Sequence, residues 1–82
     1  MIESPPAPLV MFRRDPSLHM ARFYRVEILT DLFGQTVLER GWGRIGSRGQ
    51  IRLICYPSPL SAQEAASKLI QAKERRGYRR LA

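Results

Sequence analysis

Apolar and polar side chains alternate along three stretches of the chain, and this period of two residues predicts three β-strands. The first strand covers residues 20 to about 30, the second residues 35–42 and the third residues 50–56. Gly34 marks the first turn, and the sequence GSRG over residues 46–49 predicts a tight hairpin between the second and third strands.

An apolar stripe at helical spacing predicts one α-helix after the third strand. Ser61 is the predicted N-cap, because Glu64 follows three residues later and completes a capping box. Gly77 is the predicted C-terminal stop. The stripe consists of Ala62, Ala65, Ala66, Leu69, Ile70 and Ala72. The predicted fold class is therefore α+β, a small antiparallel β-sheet with one C-terminal α-helix packed across one face.

Residues 1–19 read as a Pro-rich N-terminal arm that is partly disordered, followed by a domain over residues 20–82. Within this arm, residues 9–12 could add a short edge strand, which Pro16 would end.

Composition and charge narrow the classes of partner. The 82 residues allow one small domain, and 14 Lys and Arg against 7 Asp and Glu give a net charge of +7. Twelve of the basic residues are Arg, whose planar guanidinium can hold a phosphate through two hydrogen bonds. The excess charge favours a polyanionic partner such as nucleic acid, while arginines that only solvate the surface are the alternative.

Neither an enzyme nor a metal site is visible in the sequence. His19 is the single His and lies in the arm without a patterned partner, so we read it as a surface residue. Cys55 alternates with Ile51 and Leu53 and is expected to be a small core residue. One Cys and one His cannot supply a four-ligand zinc site, and we expect no cofactor. Without a targeting or membrane-spanning stretch, a soluble cytoplasmic protein that does not bind a membrane is expected; oligomeric state stays open.

The segment from residue 40 to residue 52 (RGWGRIGSRGQIR) carries the first basic cluster. Arg40, Arg44, Arg48 and Arg52 are spaced four residues apart around Trp42, the one Trp in the chain. A three-residue hairpin loop would pair Trp42 with Arg52 and place Trp42 on one surface with three of these arginines. A two-residue loop would pair Trp42 with Leu53 instead and make the indole a core residue.

Two interpretations of this hairpin remain open at the level of sequence. An exposed indole could stack on a base or a sugar while guanidinium groups hold the phosphates, with Gly41 and Gly43 allowing close approach. Alternatively, Trp42 is buried and the glycines relieve crowding in a twisted hairpin.

A second basic cluster, KERRGYRR, covers residues 73–80 at the predicted end of the helix. An aromatic residue again lies among cations, and an ordinary solvated helix end is the alternative. Both clusters together give the candidate nucleic-acid-binding residues Arg40, Trp42, Gly43, Arg44, Arg48, Arg52, Lys73, Arg76 and Tyr78.

The motif WGR at residues 42–44, followed by IGSRGQ at residues 45–50, resembles the signature of the WGR domain. RFY at residues 22–24, LFG at 32–34 and KERRGY at 73–78 agree with it in order and spacing. The sequence RRDP at 13–16 resembles the lead-in of stand-alone bacterial members.

The resemblance implies a small antiparallel sheet with one helix across it and no catalysis. In the DNA-dependent poly(ADP-ribose) polymerases, this domain contacts DNA near a strand break. By resemblance, Trp42 would pack on the sugar of a terminal nucleotide, and Arg44 would contact DNA or a neighbouring domain. Arg48, Lys73 and Arg76 are basic residues in the segments that resemble the family.

The leading hypothesis is therefore a non-enzymatic module that binds double-stranded DNA at ends, nicks or the backbone. One alternative is a protein–protein interaction adaptor whose Arg-rich face docks an acidic partner. RNA or another single-stranded nucleic acid is the third hypothesis.

Overall fold

The structure, a computed structural model, describes residues 8–80. In chain order, its elements are β1 (Leu9–Asp15), a 3₁₀ turn (Pro16–Leu18), β2 (Met20–Thr30), β3 (Thr36–Arg44), β4 (Gln50–Tyr56), α1 (Pro59–Arg75) and β5 (Arg79–Arg80). The five strands form one sheet in the order β4-β3-β2-β1-β5, and every neighbouring pair is antiparallel. The α+β class and the three predicted strands are confirmed.

The helix covers one face of the sheet, and the core lies between them. Tyr24, Val26 and Leu38 are buried on the covered face of β2 and β3, together with Met11 of β1. The buried residues of α1 are the small Ala62 and Ala66, and the partly buried Leu69 and Ile70 also pack against the core. The opposite face of the sheet has no element of residues 8–80 packed on it.

The helix begins one turn earlier than predicted. Ser58, not Ser61, is the N-cap, and Pro59 occupies the first helical position, where its missing N–H costs nothing. The Ser58 hydroxyl accepts a hydrogen bond from the Ser61 backbone N–H (3.1 Å), and the Ser61 hydroxyl accepts one from the Ser58 N–H (3.2 Å). This reciprocal pair is a capping box in which Ser61 takes the place expected for Glu64.

The end of the helix confirms Gly77 as its stop. Gly77 has φ +96°, a conformation that favours glycine, and directly follows the C-cap residue Arg76. The Tyr78 N–H donates to the Lys73 carbonyl (3.1 Å) and the Gly77 N–H to the Glu74 carbonyl (3.0 Å). These two bonds form a Schellman motif, which turns the chain so that Tyr78 packs into the core and β5 pairs with β1.

The strand β1 lies inside the segment that the sequence analysis assigns to a Pro-rich arm. It extends to Asp15, beyond the short strand considered at residues 9–12, and pairs along its length with β2. On its other side β1 pairs with β5 at Met11 and Phe12 only. Leu9 and Met11 face the core, and Met11 is fully buried. The rest of the predicted arm, residues 1–7, lies outside the described residues.

The expectation for Cys55 is wrong. Alternate residues of β4 point to the uncovered face of the sheet, and there Cys55 is exposed. Ile51 and Leu53 share this face and are 57% and 61% exposed. The period of two residues identifies the strand correctly, but it does not determine which of its two faces the helix covers.

Candidate nucleic-acid interface

The register of the β3–β4 hairpin places the first basic cluster. Trp42 pairs with Gln50 and Arg40 with Arg52, and residues 45–49 lie between the end of β3 and the start of β4. Neither the two-residue nor the three-residue loop is present. Trp42 and the arginines at positions 40, 44 and 52 nevertheless share one face, as the three-residue alternative required, because the observed pairing also joins even-numbered residues.

This shared face is the one that the helix covers. The helix ends at Arg75, and beside its C-terminal turn a cleft of about 420 Å³ opens over the ends of β2 and β3. The cleft is lined by Leu18, His19, Met20, Ala21, Arg22, Trp42, Gly43, Arg44, Gln50, Lys73 and Tyr78. The two basic clusters predicted from the sequence therefore meet at one site.

Trp42 belongs both to the core and to the cleft. Its side chain is half-buried and packs against the core cluster that contains Tyr24 and Leu38. The Arg40 guanidinium lies 5.4 Å from the centre of the indole ring, within cation–π range. The ring is thus held in a fixed orientation by its own domain while it forms part of the cleft wall.

Lys73 is positioned by two aromatic rings. Its Nζ lies 4.9 Å from the centre of the Tyr24 ring and 5.1 Å from that of Tyr78. Burial lowers the pKa of Lys73 below its usual value, and the charges of Arg76, Arg40 and Arg22 lower it further. A phosphate placed in the cleft would relieve this repulsion.

Behind the cleft, the Arg40 side chain lies in a polar but incompletely paired setting. Arg40 Nε and the Tyr24 hydroxyl are both buried without a hydrogen-bond partner among the described residues. Burial raises the pKa of Tyr24, and the nearby Arg40 charge partly offsets the increase. Tyr24 therefore stays neutral at physiological pH and does not cancel the charge of Arg40.

The cleft is cationic. Arg22, Arg44 and Lys73 line it, and none of its lining residues is Asp or Glu. Arg22 and Arg44 face each other across β2 and β3. Like charges directly opposite each other are unfavourable in a sheet, so this pair favours binding of an anion.

Gly43 makes room for the hairpin's own turn. A Cβ at Gly43 would lie 2.6 Å from the Gly49 Cα, and a Cβ at Gly49 would clash with the Trp42 carbonyl. The crowding interpretation therefore accounts for Gly43, which also lines the cleft. At Gly41, a Cβ would meet its neighbours at ordinary contact distances of 3.6–3.9 Å.

The other predicted residues lie around the cleft or away from it. Arg48 is exposed in the turn, Arg52 is exposed on β4, and Arg76 is exposed at the helix C-cap. None of these three lines the cleft. Arg40 does not line it either, but its guanidinium lies over the Trp42 ring and its charge lowers the pKa of Lys73. Trp42, Gly43, Arg44, Lys73 and Tyr78 are the predicted residues that the fold brings together.

Three polar residues of the cleft were not among the predicted site residues. Arg22 alternates with Tyr24 along β2 and so shares the covered face, a signal that the sequence carried. Gln50 lies opposite Trp42, which only the hairpin register reveals. His19 follows the 3₁₀ turn in a left-handed conformation (φ +51°), and no sequence periodicity marks its position.

Residues 8–80 contain neither a membrane-spanning helix nor a cluster of metal-ligating side chains. No helix in this range is long and apolar enough to cross a membrane. The same residues contain no group of three or more His, Cys, Asp or Glu side chains arranged to hold a metal ion.

The five-stranded antiparallel sheet with one helix defines a small α+β domain, and the cationic cleft is its candidate site. The family model of the WGR domain matches residues 8–82, nearly the whole chain, and the chain belongs to this family. The WGR domain is a nucleic-acid-binding module in poly(ADP-ribose) polymerase-like proteins, and a stand-alone WGR domain is a binding module rather than a catalytic one.

Two comparisons place the domain in longer proteins. The chain is 41% identical over 76 residues to the uncharacterized protein y4dW of Sinorhizobium fredii (strain NBRC 101917 / NGR234), covering 93% of this chain and 37% of y4dW. A crystal structure of a Bacteroides fragilis protein has a similar fold, with a TM-score of 0.79 at 24% identity. That match covers 93% of this chain and 20% of the solved chain, and it supports the fold alone.

Proposed function

We propose that this domain binds DNA ends, nicks or backbone through the cleft, without catalysis. Phosphates would lie against Arg22, Arg44 and Lys73, and the exposed part of Trp42 would pack on a sugar or base at a break. Arg48, Arg52 and Arg76 are exposed outside the cleft lining and would contribute longer-range attraction.

The observation that carries this proposal is the combination of an oriented indole and unopposed cations in one cleft. Trp42 is immobilised by the core and by Arg40, so stacking on it costs little side-chain entropy. The cleft contains no carboxylate that would neutralise its three cations. Binding through phosphate contacts predicts affinity of the micromolar class that decreases as salt increases, with a slope set by the number of contacts.

The shape of the site supports an end or a nick over an intact duplex. The cleft occupies the corner between the sheet and the last turn of α1, and no described helix or strand projects as a groove-reading element. A terminal or interrupted nucleotide can enter such a corner, whereas a continuous duplex can contact only its rim. Base-edge readout is therefore not part of the proposal.

The test is a binding titration of the purified domain with a nicked duplex, a blunt duplex and a covalently closed circle of equal sequence. Tighter binding to the nicked and blunt duplexes supports the proposal. Equal affinity for the three DNAs would show binding to the DNA backbone without a preference for ends. Absence of DNA binding near physiological salt would favour the adaptor alternative, in which the same cations hold acidic side chains.

Single-stranded nucleic acid is distinguished in the same titration. RNA and single-stranded DNA of equal length compete for the cleft if stacking on Trp42 dominates the binding. Stronger competition by RNA than by the nicked duplex would favour RNA or another single-stranded nucleic acid as the ligand.

A further inference from the structure

The two edges of the sheet are built differently. At one edge, β5 pairs with Met11 and Phe12 of β1 through two exposed arginines, Arg79 and Arg80, and the other residues of β1 have no strand partner on that side among residues 8–80. A short, charged strand is a usual protection against pairing with another chain. β4 forms the other edge with the seven residues QIRLICY, which include neither Pro nor Gly, and no strand of residues 8–80 pairs with its outer side.

The hydrogen-bond pattern shows which residues of β4 present their backbone outward. The Asp31 N–H donates to the Gln35 carbonyl (2.9 Å), and the Ile45 N–H donates to the Ala21 carbonyl (2.9 Å), so odd-numbered pairs join β2 to β3. Because hydrogen-bonded pairs alternate along antiparallel strands, even-numbered residues of β3 bond to β4. The free N–H and C=O groups of the edge therefore belong to Ile51, Leu53 and Cys55.

The side chains of these same three residues form an exposed apolar row. Ile51 is 57% exposed, Leu53 is 61% exposed, and Cys55 is exposed beside them on the uncovered face. Free backbone groups and apolar side chains thus coincide on three alternate residues of one strand. This is the arrangement that an added strand would satisfy.

We propose that the outer edge of β4 pairs antiparallel with β4 of a second copy of this chain, centred on Leu53. In this register Leu53 faces Leu53 of the second copy, Ile51 faces Cys55, and Gln50 faces Tyr56, so all seven residues of the strand are paired. Arg52, the one charged residue of β4, faces the uncharged Ile54.

The neighbouring registers are less favourable. A shift by one pair toward the start of the strand would place Arg52 directly opposite its own copy, and like charges facing each other destabilise a sheet. A shift toward the end would pair Ile51 with Pro57, which has no N–H to donate. The strand is therefore complementary to itself in one register, which favours a second copy over an unrelated strand.

The consequence is a continuous ten-stranded sheet with a two-fold axis at Leu53. The pleat continues across the junction, so both helices and both clefts lie on the same face. Each cleft begins beside Gln50, at one end of β4. Since six residues separate Gln50 from Tyr56, the two clefts would be offset by about 20 Å along the strands. Two DNA ends could be held side by side.

Sedimentation of the purified chain over a concentration series tests the pairing. We expect a monomer–dimer equilibrium that strengthens as salt increases, because salt screens the repulsion between two chains of charge +7. DNA binding weakens with salt, so the two proposals can fail separately. A chain that remains monomeric at millimolar concentration in high salt would overturn the pairing.

Two substitutions at residue 53 test the interface. Leu53→Pro removes an N–H that points outward and leaves every bond to β3, whereas Leu53→Lys places two ammonium groups face to face. We expect each variant to weaken the dimer at least tenfold while its circular dichroism stays native. If Leu53→Pro does not fold, the dimerisation of Leu53→Lys tests the proposal. A dimer unchanged in the folded variants would contradict the proposal.

Cross-linking tests the register. Facing residues of a hydrogen-bonded pair have Cα atoms about 5.5 Å apart, which a disulfide can span. Leu53→Cys, combined with Cys55→Ser, is expected to cross-link under mild oxidation. Leu32→Cys in the same background is the control, because Leu32 is fully exposed at a distant turn. Equal cross-linking at both positions would show random collision and overturn the register.

Discussion

Trp42 and Arg40 lie on one strand face, and this face contributes both to the core and to the cleft. The indole packs on buried residues while Arg40 lies over its ring. Removing the ring should therefore affect stability and recognition together, and a conservative variant is needed to separate the two effects.

We expect Trp42→Ala to lower the free energy of unfolding by about 2 kcal/mol, less than for a fully buried Trp because the side chain is half-buried. The variant should also lose its preference for nicked over closed DNA while it retains salt-sensitive binding through the cations. Trp42→Phe keeps an aromatic face and should retain part of the preference. Urea unfolding and parallel titrations measure both effects. An unchanged preference in folded Trp42→Ala would exclude stacking.

The cations of the cleft are expected to act through phosphate contacts. Arg22→Gln and Arg44→Gln should each weaken DNA binding and reduce the slope of log K against log salt by about one. Lys68→Gln removes the same charge from an exposed position of α1 outside the cleft and serves as the control. A slope change in the control equal to that of the cleft variants would indicate diffuse attraction instead of a site.

The lowered pKa of Lys73 predicts that the affinity for DNA depends on pH. Its pKa is lowered in the free domain, and a bound phosphate would raise it, so binding takes up a proton and affinity should decrease as pH rises through the lowered pKa. Lys73→Arg stays charged and should remove this decrease. Titrations from pH 7 to pH 9.5 measure the difference. Parallel pH profiles for both proteins would place Lys73 outside the interface.

Lys73 also makes the stability of the fold depend on pH, and stability changes with pH in the opposite direction to DNA affinity. The lowered pKa means that the folded state binds fewer protons than the unfolded state, so stability should rise as pH rises toward the usual Lys value. Lys73→Met should show a flatter stability profile over the same range. A profile identical to that of the unmodified chain would contradict the burial of this charge.

Among the elements, the C-terminal turn of α1 determines the shape of the cleft. Its Schellman motif places Lys73 and Tyr78 on the same side of the turn, where both form the cleft wall. Gly77 is the residue that permits the turn, because its φ of +96° is strained for any residue with a Cβ.

Gly77→Ala should therefore destabilise the domain by about 1 kcal/mol and displace the wall that carries Lys73. Gly77→Asn should cost less, since Asn tolerates left-handed conformations. Thermal unfolding ranks the variants, and DNA binding is measured well below the transition. If Gly77→Ala is as stable as the unmodified chain, the turn does not depend on glycine.

Elements with a strong local signal were predictable from the sequence. The bounds of β4 are as predicted because Gly49 and Pro57 flank an uninterrupted β-rich run. The helix start was wrong because Ser58 and Ser61 can each act as a cap, and only the fold selects between them. Cys55 was misplaced because periodicity defines two faces without showing which one is buried.

The site could be predicted only in part. Trp42 and Tyr78 stand out as aromatics among cations, Arg44 and Lys73 included, in two separate segments. Their meeting depends on how the end of α1 lies across β2 and β3, which is a tertiary property. Arg22 was missed although its alternation with Tyr24 placed it on the same strand face, because its pairing with Arg44, twenty-two residues away in the sequence, depends on the register of β2 and β3.

The whole molecule is elongated, with extents of 46 × 22 × 18 Å, and the cleft lies near one end of the β2–β3 hairpin. The turn at the other end exposes Leu32 completely and Phe33 to 88%. It is held in place by Asp31, whose carboxylate accepts hydrogen bonds from the N–H groups of Phe33 (2.9 Å) and Gln35 (2.8 Å). A ligand in the cleft should leave this distant turn unaffected.

Chemical-shift mapping of the folded domain with a nicked duplex tests the central claim most directly. We expect the largest changes at the Trp42 indole N–H and at the backbone of Gly43, Arg44 and Lys73, with none at Leu32 and Phe33. Changes centred on the uncovered face, or spread evenly over all arginines, would contradict the assignment of the cleft as the DNA-binding site.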